Sequence, residues 1–260
     1  MNIIIFCDME GISGIFRKSQ VTLNEPGYQE ARSYMTQEVN SCIKACFDSG
    51  VRTVVVRDVH AGCNNIIWEA LDERTEYMIA GNPRKGRFDG IDKFDGLILL
   101  GYHAMAGTPQ AILAHTASPT WQNCLLDGIK VGEFVLDAAR AGQHGVPVIM
   151  TSGDDKLCAE AKSFIRNVVT VQVKEGLSRE SGKLLIQKKA HEKIYNGTVK
   201  ALKNCSDIKP FKVRKSVTVR LEFIMEVPLS LTRKDVKLIN GTTCEVTGSD
   251  FEELINSFIF

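Results

Sequence analysis

The chain has 260 residues, with 32 basic and 31 acidic side chains and a formal net charge of +1. That length carries a substantial core, as one large domain or two modest ones. The balanced charge, free of any block of like charges, recommends neither nucleic acid nor an anionic membrane as a partner and leaves a small molecule. Neither an apolar run of about 20 residues nor a basic region ahead of the short N-terminal apolar segment occurs, so neither a membrane span nor a signal peptide is expected. Eight cysteines are scattered without C-x-x-C pairing, as expected of small buried hydrophobes in a reducing cytoplasm. Cys42 and Cys46 share a helix face, but two thiols alone make a poor metal site, and core packing is expected of them.

Short β-rich apolar runs alternate with longer helical patterns, which predicts an α/β fold: a mainly parallel sheet flanked by helices on both faces. The first predicted strand is 2–7 (NIIIFC). From about Pro26 to Ser49, the residues Tyr34, Met35, Val39, Cys42, Ile43 and Cys46 recur at spacings of three and four, so a helix is predicted, closed by Gly50. Strands follow at 52–57 (RTVVVR) and 96–101 (GLILLG), a helix at 132–142, a strand at 147–151 (PVIMT), a helix at 154–164 and a strand at 168–173 (VVTVQV). Beyond residue 175 a lysine-rich stretch, 181–203, reads as helical. "SVTVRLEF" and "TTCEVTG" then alternate like strands with one wet face, before a terminal helix from about Ser249. The expected organisation is an α/β metal-binding catalytic domain over 1–175 and a smaller α+β region, 176–260, packed against it.

Three of these strands run out into residues of metal-ligand type: 2–7 into Asp8 and Glu10, 52–57 into Asp58 and His60, and 96–101 into His103. The carboxyl ends of strands in an open parallel sheet form the crevice where ligands bind, so these five side chains are expected to converge. Acids in a low-dielectric crevice must be protonated, paired with a cation or bound to a metal. Arg57 is the only Arg or Lys in the three stretches, whereas imidazoles beside carboxylates suit a divalent transition metal, zinc first, with manganese or iron as alternatives. Two imidazoles plus several carboxylates exceed the three protein ligands of a mononuclear catalytic zinc, which suggests two metals sharing a bridging carboxylate. Blander roles exist for each residue. Asp8 also suits a helix cap or turn, Asp58 suits a loop start or a partner that orients His60, and a single histidine is more often structural. Of five histidines, His60, His103 and His115 fall in or after strand ends, while His144 and His191 have ordinary polar surroundings. Gly11 and Gly14 do not make a phosphate loop, since no G-x-G-x-x-G or GK[ST] pattern is present and acids at its head would repel phosphate. There is no G-x-S-x-G elbow either.

On these residues the sequence resembles the metal-dependent D-aminopeptidases associated with bacterial dipeptide-transport operons, peptidase family M55. The matching segments are "DMEGISG" (8–14), "DVHAGCNN" (58–65), "LGYHAMAGTP" (100–109), His115, "VGE" (131–133) and "GVPVIMTSGDD" (145–155), with a weaker likeness in "VKEGLSR" (173–179) and "LEF" (221–223). The resemblance implies a zinc aminopeptidase with two ions per subunit, held by Asp8, Glu10, His60, His103 and Glu133, with Asp8 as the bridge and His115 as the catalytic histidine. Glu133 enters only through the resemblance, since an acid at a helix start is favoured by the helix dipole anyway. Also implied are removal of the N-terminal residue from small peptides containing D-amino acids, such as D-Ala-D-Ala, and a ring-like homo-oligomer enclosing its active sites. A water activated by two metals would attack the peptide carbonyl, with His115 as acid/base, oxyanion donor or nucleophile. The residues themselves leave open another small-molecule metallohydrolase, of amides or phosphoesters, and a non-catalytic metal- or peptide-binding protein.

Overall fold

In the computed structural model, which describes residues 1–78, 86–231 and 234–258, the side chains of Ile3, Ile4, Ile5, Phe6 and Cys7 are fully buried. A continuous apolar run demands such cover on both faces of its sheet. The chain passes through β1 (Asn2–Cys7), α1 (Tyr28–Asp48), β2 (Thr53–Asp58), β3 (Glu76–Tyr77), β4 (Gly96–Leu100), β5 (Trp121–Leu126) and β6 (Ile129–Lys130). It continues through α2 (Glu133–Gln143), β7 (Val148–Asp154), α3 (Asp155–Phe164), β8 (Val169–Ser178), β9 (Ser181–Leu184) and α4 (Gln187–Lys203). The described chain ends with β10 (Val217–Phe223), β11 (Lys237–Asn240), β12 (Thr243–Gly248) and α5 (Phe251–Phe258).

Seven strands form one sheet in the order β3-β2-β1-β4-β7-β8-β9, parallel except for β9, which runs antiparallel to β8. On it α1 packs against β1, β2 and α4, while α2 and α3 pack together against β7. This is the α/β fold that the alternating pattern implied. The remaining strands form an antiparallel sheet in the order β11-β12-β10-β5-β6, with α5 seated on β12 and α2.

Two stretches differ from their sequence reading. Residues 181–184, expected to begin a helix, instead form β9 and cover the outer edge of β8, and α4 starts only at Gln187. Sheet pairing overrides a helical spacing of lysines when an unpaired edge is available. The β5–β6 hairpin had no counterpart in the reading; Asp127 and Gly128 turn it with φ of 48° and 83°, the left-handed pair that an Asp-Gly dipeptide favours. Residue 175, the expected edge between two regions, lies inside β8, and the five-stranded sheet takes β5 and β6 from before that edge.

The strand order creates a switch point. β1 continues through α1 to β2 on one side, and its other neighbour is β4. Loops leaving adjacent strands there part to opposite sides and open a crevice. The three loops are also laced together: Asp8 N donates to Leu100 O at 2.9 Å, Val59 N to Cys7 O at 3.0 Å and Gly11 N to Gly101 O at 2.7 Å. Gly11 is fixed by this contact, since a Cβ there would lie 1.9 Å from Tyr102 O.

Candidate metal centre

Asp8 and Glu10 follow β1, His60 follows β2, His103 follows β4, and Glu133 is the first residue of α2. The structure brings all five together. Asp8 Oδ1 and Glu10 Oε2 both lie 3.0 Å from His60 Nδ1. The other oxygen of Asp8 faces a different imidazole, with Oδ2 at 3.4 Å from His103 Nε2, and Glu133 Oε1 lies 3.3 Å from that same nitrogen. His115 stacks on His103 with ring centroids 4.0 Å apart, and its Nε2 stands 3.6 Å from Glu133 Oε1. Among the described residues, the clusters of potential metal ligands are Asp8, Glu10 and His103, and His103, His115 and Glu133, each with its ligand atoms within 4.8 Å of one another. Cys42 and Cys46 belong to neither; they are buried between α1 and α4, where Thr198 Oγ1 donates to Cys42 Sγ at 3.3 Å.

Each imidazole is oriented by the nitrogen turned away from the cluster. His60 Nε2 donates to Val21 O at 2.9 Å, His103 Nδ1 to Ala104 O at 3.1 Å and His115 Nδ1 to Leu113 O at 2.9 Å. The opposite nitrogens, His60 Nδ1, His103 Nε2 and His115 Nε2, thereby face the acids, which is how a second partner sets the ligating tautomer. Asp58 points away from the cluster and organises the loop that carries His60. It accepts from His60 N at 3.1 Å, Asn65 Nδ2 at 3.1 Å, Ile66 N at 3.2 Å and Asn65 N. Of the two roles open to it from sequence, it serves the loop start: it meets His60 only at the main-chain N, and the imidazole is oriented by Val21 O instead.

The charges demand a cation. Burial raises Asp8, reinforced by Glu10 alongside, to about 6. Burial alone would also raise Glu133, but His103 and then His115 hold it down at about 2. Burial would lower His103, yet Glu133 and Asp8 push it up to about 10, and Glu10 and Asp8 likewise hold His60 well above its usual range. Two buried carboxylates and the half-buried Glu133 thus call for positive charge at the imidazole nitrogens, whether supplied by protons or by a metal. Glu10 Oε2 and His103 Nε2 are buried without a hydrogen bond, each facing only other ligand-type atoms. This donor set of oxygens and imidazole nitrogens fits divalent transition metals.

Arg57 does not enter the cluster; its guanidinium donates to Gly86 O at 2.8 Å and to Arg87 O. A further cation near the cluster is the half-buried Arg87, which no sequence pattern singled out. It donates to Val59 O at 3.0 Å and lies 3.5 Å from Asp137, which in turn accepts from Tyr102 OH at 2.6 Å. Behind the Asp8–Gly14 loop, Ser13 N donates to Glu38 Oε1 at 2.8 Å. Burial raises Glu38 from 4.5 to about 8, against that hydrogen bond and the charge of Lys174. The native state therefore keeps a proton that the unfolded chain releases, so this group's contribution to stability falls as pH rises between those two values. Glu38→Gln keeps the acceptor and removes the titration. Its melting temperature is expected to match that of the unaltered protein near pH 5 and to exceed it near pH 9, by a gain of at most about 5 kcal/mol. Calorimetry across that range checks this, and parallel pH profiles of the two proteins would refute it.

A family model of D-aminopeptidases, peptidase M55, matches residues 1–260. A D-aminopeptidase of Bacillus subtilis (strain 168) is 35% identical over 225 residues, which is 86% of this chain and 81% of that protein. A solved structure, described as the Zn-dependent D-aminopeptidase DppA from Bacillus subtilis, a self-compartmentalizing protease, matches with a TM-score of 0.94 at 31% identity over 99% of this chain and 95% of that one. With a match along its whole length and a fold in common, this chain belongs to the M55 family of D-aminopeptidases, hydrolases that act on peptide bonds.

Proposed function

We propose that the protein is a zinc-dependent aminopeptidase that removes the N-terminal residue of small peptides containing D-amino acids, D-Ala-D-Ala among them, using two metal ions and His115. One observation carries the two-metal reading: the oxygens of Asp8 face different imidazoles, Oδ1 toward His60 and Oδ2 toward His103. Glu10 accompanies His60 while also grouping with Asp8 and His103, and Glu133 accompanies His103 and His115, so two overlapping sets of donors meet at Asp8 and His103. When bound, zinc supplies a Lewis acid for the scissile carbonyl and lowers the pKa of water from 15.7 to about 7. The zinc dependence of the Bacillus subtilis relative supports this choice of metal.

The chain's own contribution to proton transfer falls to His115. Its side chain is 24% exposed, against 1% for His103, so it reaches a bound peptide where His103 does not. With Nδ1 committed to Leu113 O, Nε2 is the atom that takes a proton from the attacking water and returns it to the leaving amine. His115 Nε2 also lies with His103 and Glu133 inside 4.8 Å, a spacing that suits a further ligand, and the zinc content of a His115 variant separates the two roles.

Self-assembly is part of the proposal, as a ring-like homo-oligomer. The two edges of the five-stranded sheet expose Ile129 in β6 and Leu238 and Ile239 in β11, and Ile224 and Met225 are exposed just after β10. A cytoplasmic location is supported by eight free thiols, seven of them buried; no helix among the described residues is long and apolar enough to cross a membrane.

Metal-depleted protein reloaded with zinc, manganese or iron, and offered D-Ala-D-Ala, L-Ala-L-Ala and p-nitrophenyl phosphate, tests the reading. Zinc-restored cleavage of the D-dipeptide above the L-dipeptide is expected. Preference for the L-dipeptide, or turnover of the phosphoester alone, would overturn it. Sedimentation of the same protein as a monomer would remove the assembly.

A further inference from the structure

The segment VKEGLSR (173–179) forms the second half of β8 and the start of its turn into β9. We propose that this hairpin positions the two parts of the site separately: Lys174 holds the loop that carries Asp8 and Glu10, and Arg179 holds the loop that presents His115. The inference rests on the proposed roles of Asp8, Glu10 and His115.

Lys174 reaches the interior through an irregularity. Gly153 pairs with Gln172, but Asp154 pairs with Lys174, so a bulge in β8 turns two successive residues, Val173 and Lys174, inward. Lys174 is 2% exposed. Its ammonium donates to three main-chain carbonyls of one loop: Ile12 O at 3.0 Å, Ile15 O at 2.7 Å, and Glu10 O. Among the described residues it makes no ion pair. A buried ammonium is costly, and an apolar side chain of similar volume would fill the same space more cheaply. Its three donors are all spent on bending residues 10–15 around one point. That bend fixes the backbone at Glu10 and so aims its carboxylate beside Asp8 toward His60.

Arg179 acts at the other end of the hairpin. Its Nη1 donates to Ala114 O at 2.9 Å, and its own carbonyl accepts from Leu113 N at 2.9 Å. Leu113 O is the acceptor that orients His115. The loop needs such ties, because Gln110, Leu113 and Ala117 hold φ of 57°, 54° and 54°, a region that non-glycine residues occupy only when their surroundings impose it. Gly176 completes the contact, since a Cβ there would lie 2.0 Å from Gln110 O.

The test reads zinc affinity by chelator competition and steady-state kinetics on zinc-loaded enzyme. Lys174→Met is expected to weaken zinc binding about 10- to 100-fold, the usual effect of removing support behind a ligand. Arg179→Ala is expected to leave zinc affinity within about twofold and to lower kcat about tenfold with KM little changed, and Arg179→Lys, which keeps one donor, to recover part of the loss. Zinc affinity unchanged in Lys174→Met, unchanged kcat in Arg179→Ala, or an equal loss of both quantities in both variants would overturn the proposal. Should Lys174→Met not fold, Lys174→Arg, with planar donors in place of a tetrahedral ammonium, is read in the same way. Unaltered protein that binds no zinc would instead overturn the metal site itself.

Discussion

Replacing His115 with alanine is expected to lower kcat by about 10²- to 10⁴-fold or more, to the point where turnover is abolished in ordinary assays, while each subunit keeps its zinc. The side chain stands over His103 at 4.0 Å and is oriented from behind by Leu113 O. Its removal takes away a proton carrier and the neighbour of His103 and Glu133, while the side chains of Asp8, Glu10, His60, His103 and Glu133 all remain to hold zinc. Elemental analysis beside the kinetics makes the result decisive. Loss of zinc together with activity would make His115 a ligand in company with His103 and Glu133, as their spacing permits, and retained activity would remove it from the chemistry.

The second large effect belongs to Asp8→Asn. The amide has almost the shape of the carboxylate, but one of its two ends is an NH2 group. That end must face His60 Nδ1 or His103 Nε2, where the carboxylate now places Oδ1 and Oδ2. A donor cannot ligate, and the shared negative charge is gone. Zinc content is expected to fall at both positions, and kcat/KM by about 10³-fold or more. The metal-free protein is expected to be as stable as before, because burial already works against the charge on Asp8. A rise in melting temperature on adding zinc is then expected in the unaltered protein and largely lost in the variant. Zinc content unchanged after dialysis would sink the bridging role.

The parallel core was legible because its strands are continuous apolar runs closed by acids, histidines or glycines, and its helices carry a clean three-and-four spacing. Asp8, Glu10, His60 and His103 could be proposed as one cluster because strand ends in such a sheet point into a common crevice. Glu133 was not legible from the residues alone: an acid at the start of a helix has a sufficient local reason, and its approach to His103 depends on where the start of α2, packed on β7, lies relative to the loop after β4. Lys174 was hidden more deeply. Strand alternation with Val169, Val171 and Val173 inward places Lys174 outward, and only the bulge opposite Asp154 reverses it. Arg87 lies outside any element whose period could point it inward. The Asp127–Gly128 turn was the opposite case: it carried a local signal for a hairpin, and the β5–β6 pair was nonetheless missed.

His115 lies shortly before β5, and Glu133 follows β6 after only Val131 and Gly132. The β5–β6 hairpin, one edge of the five-stranded sheet, is therefore held between two of the residues that make the site, like a handle fixed at both ends to a lock. One hairpin thus links two residues of the site, whereas Asp8, Glu10 and His60 sit on loops that leave the parallel sheet.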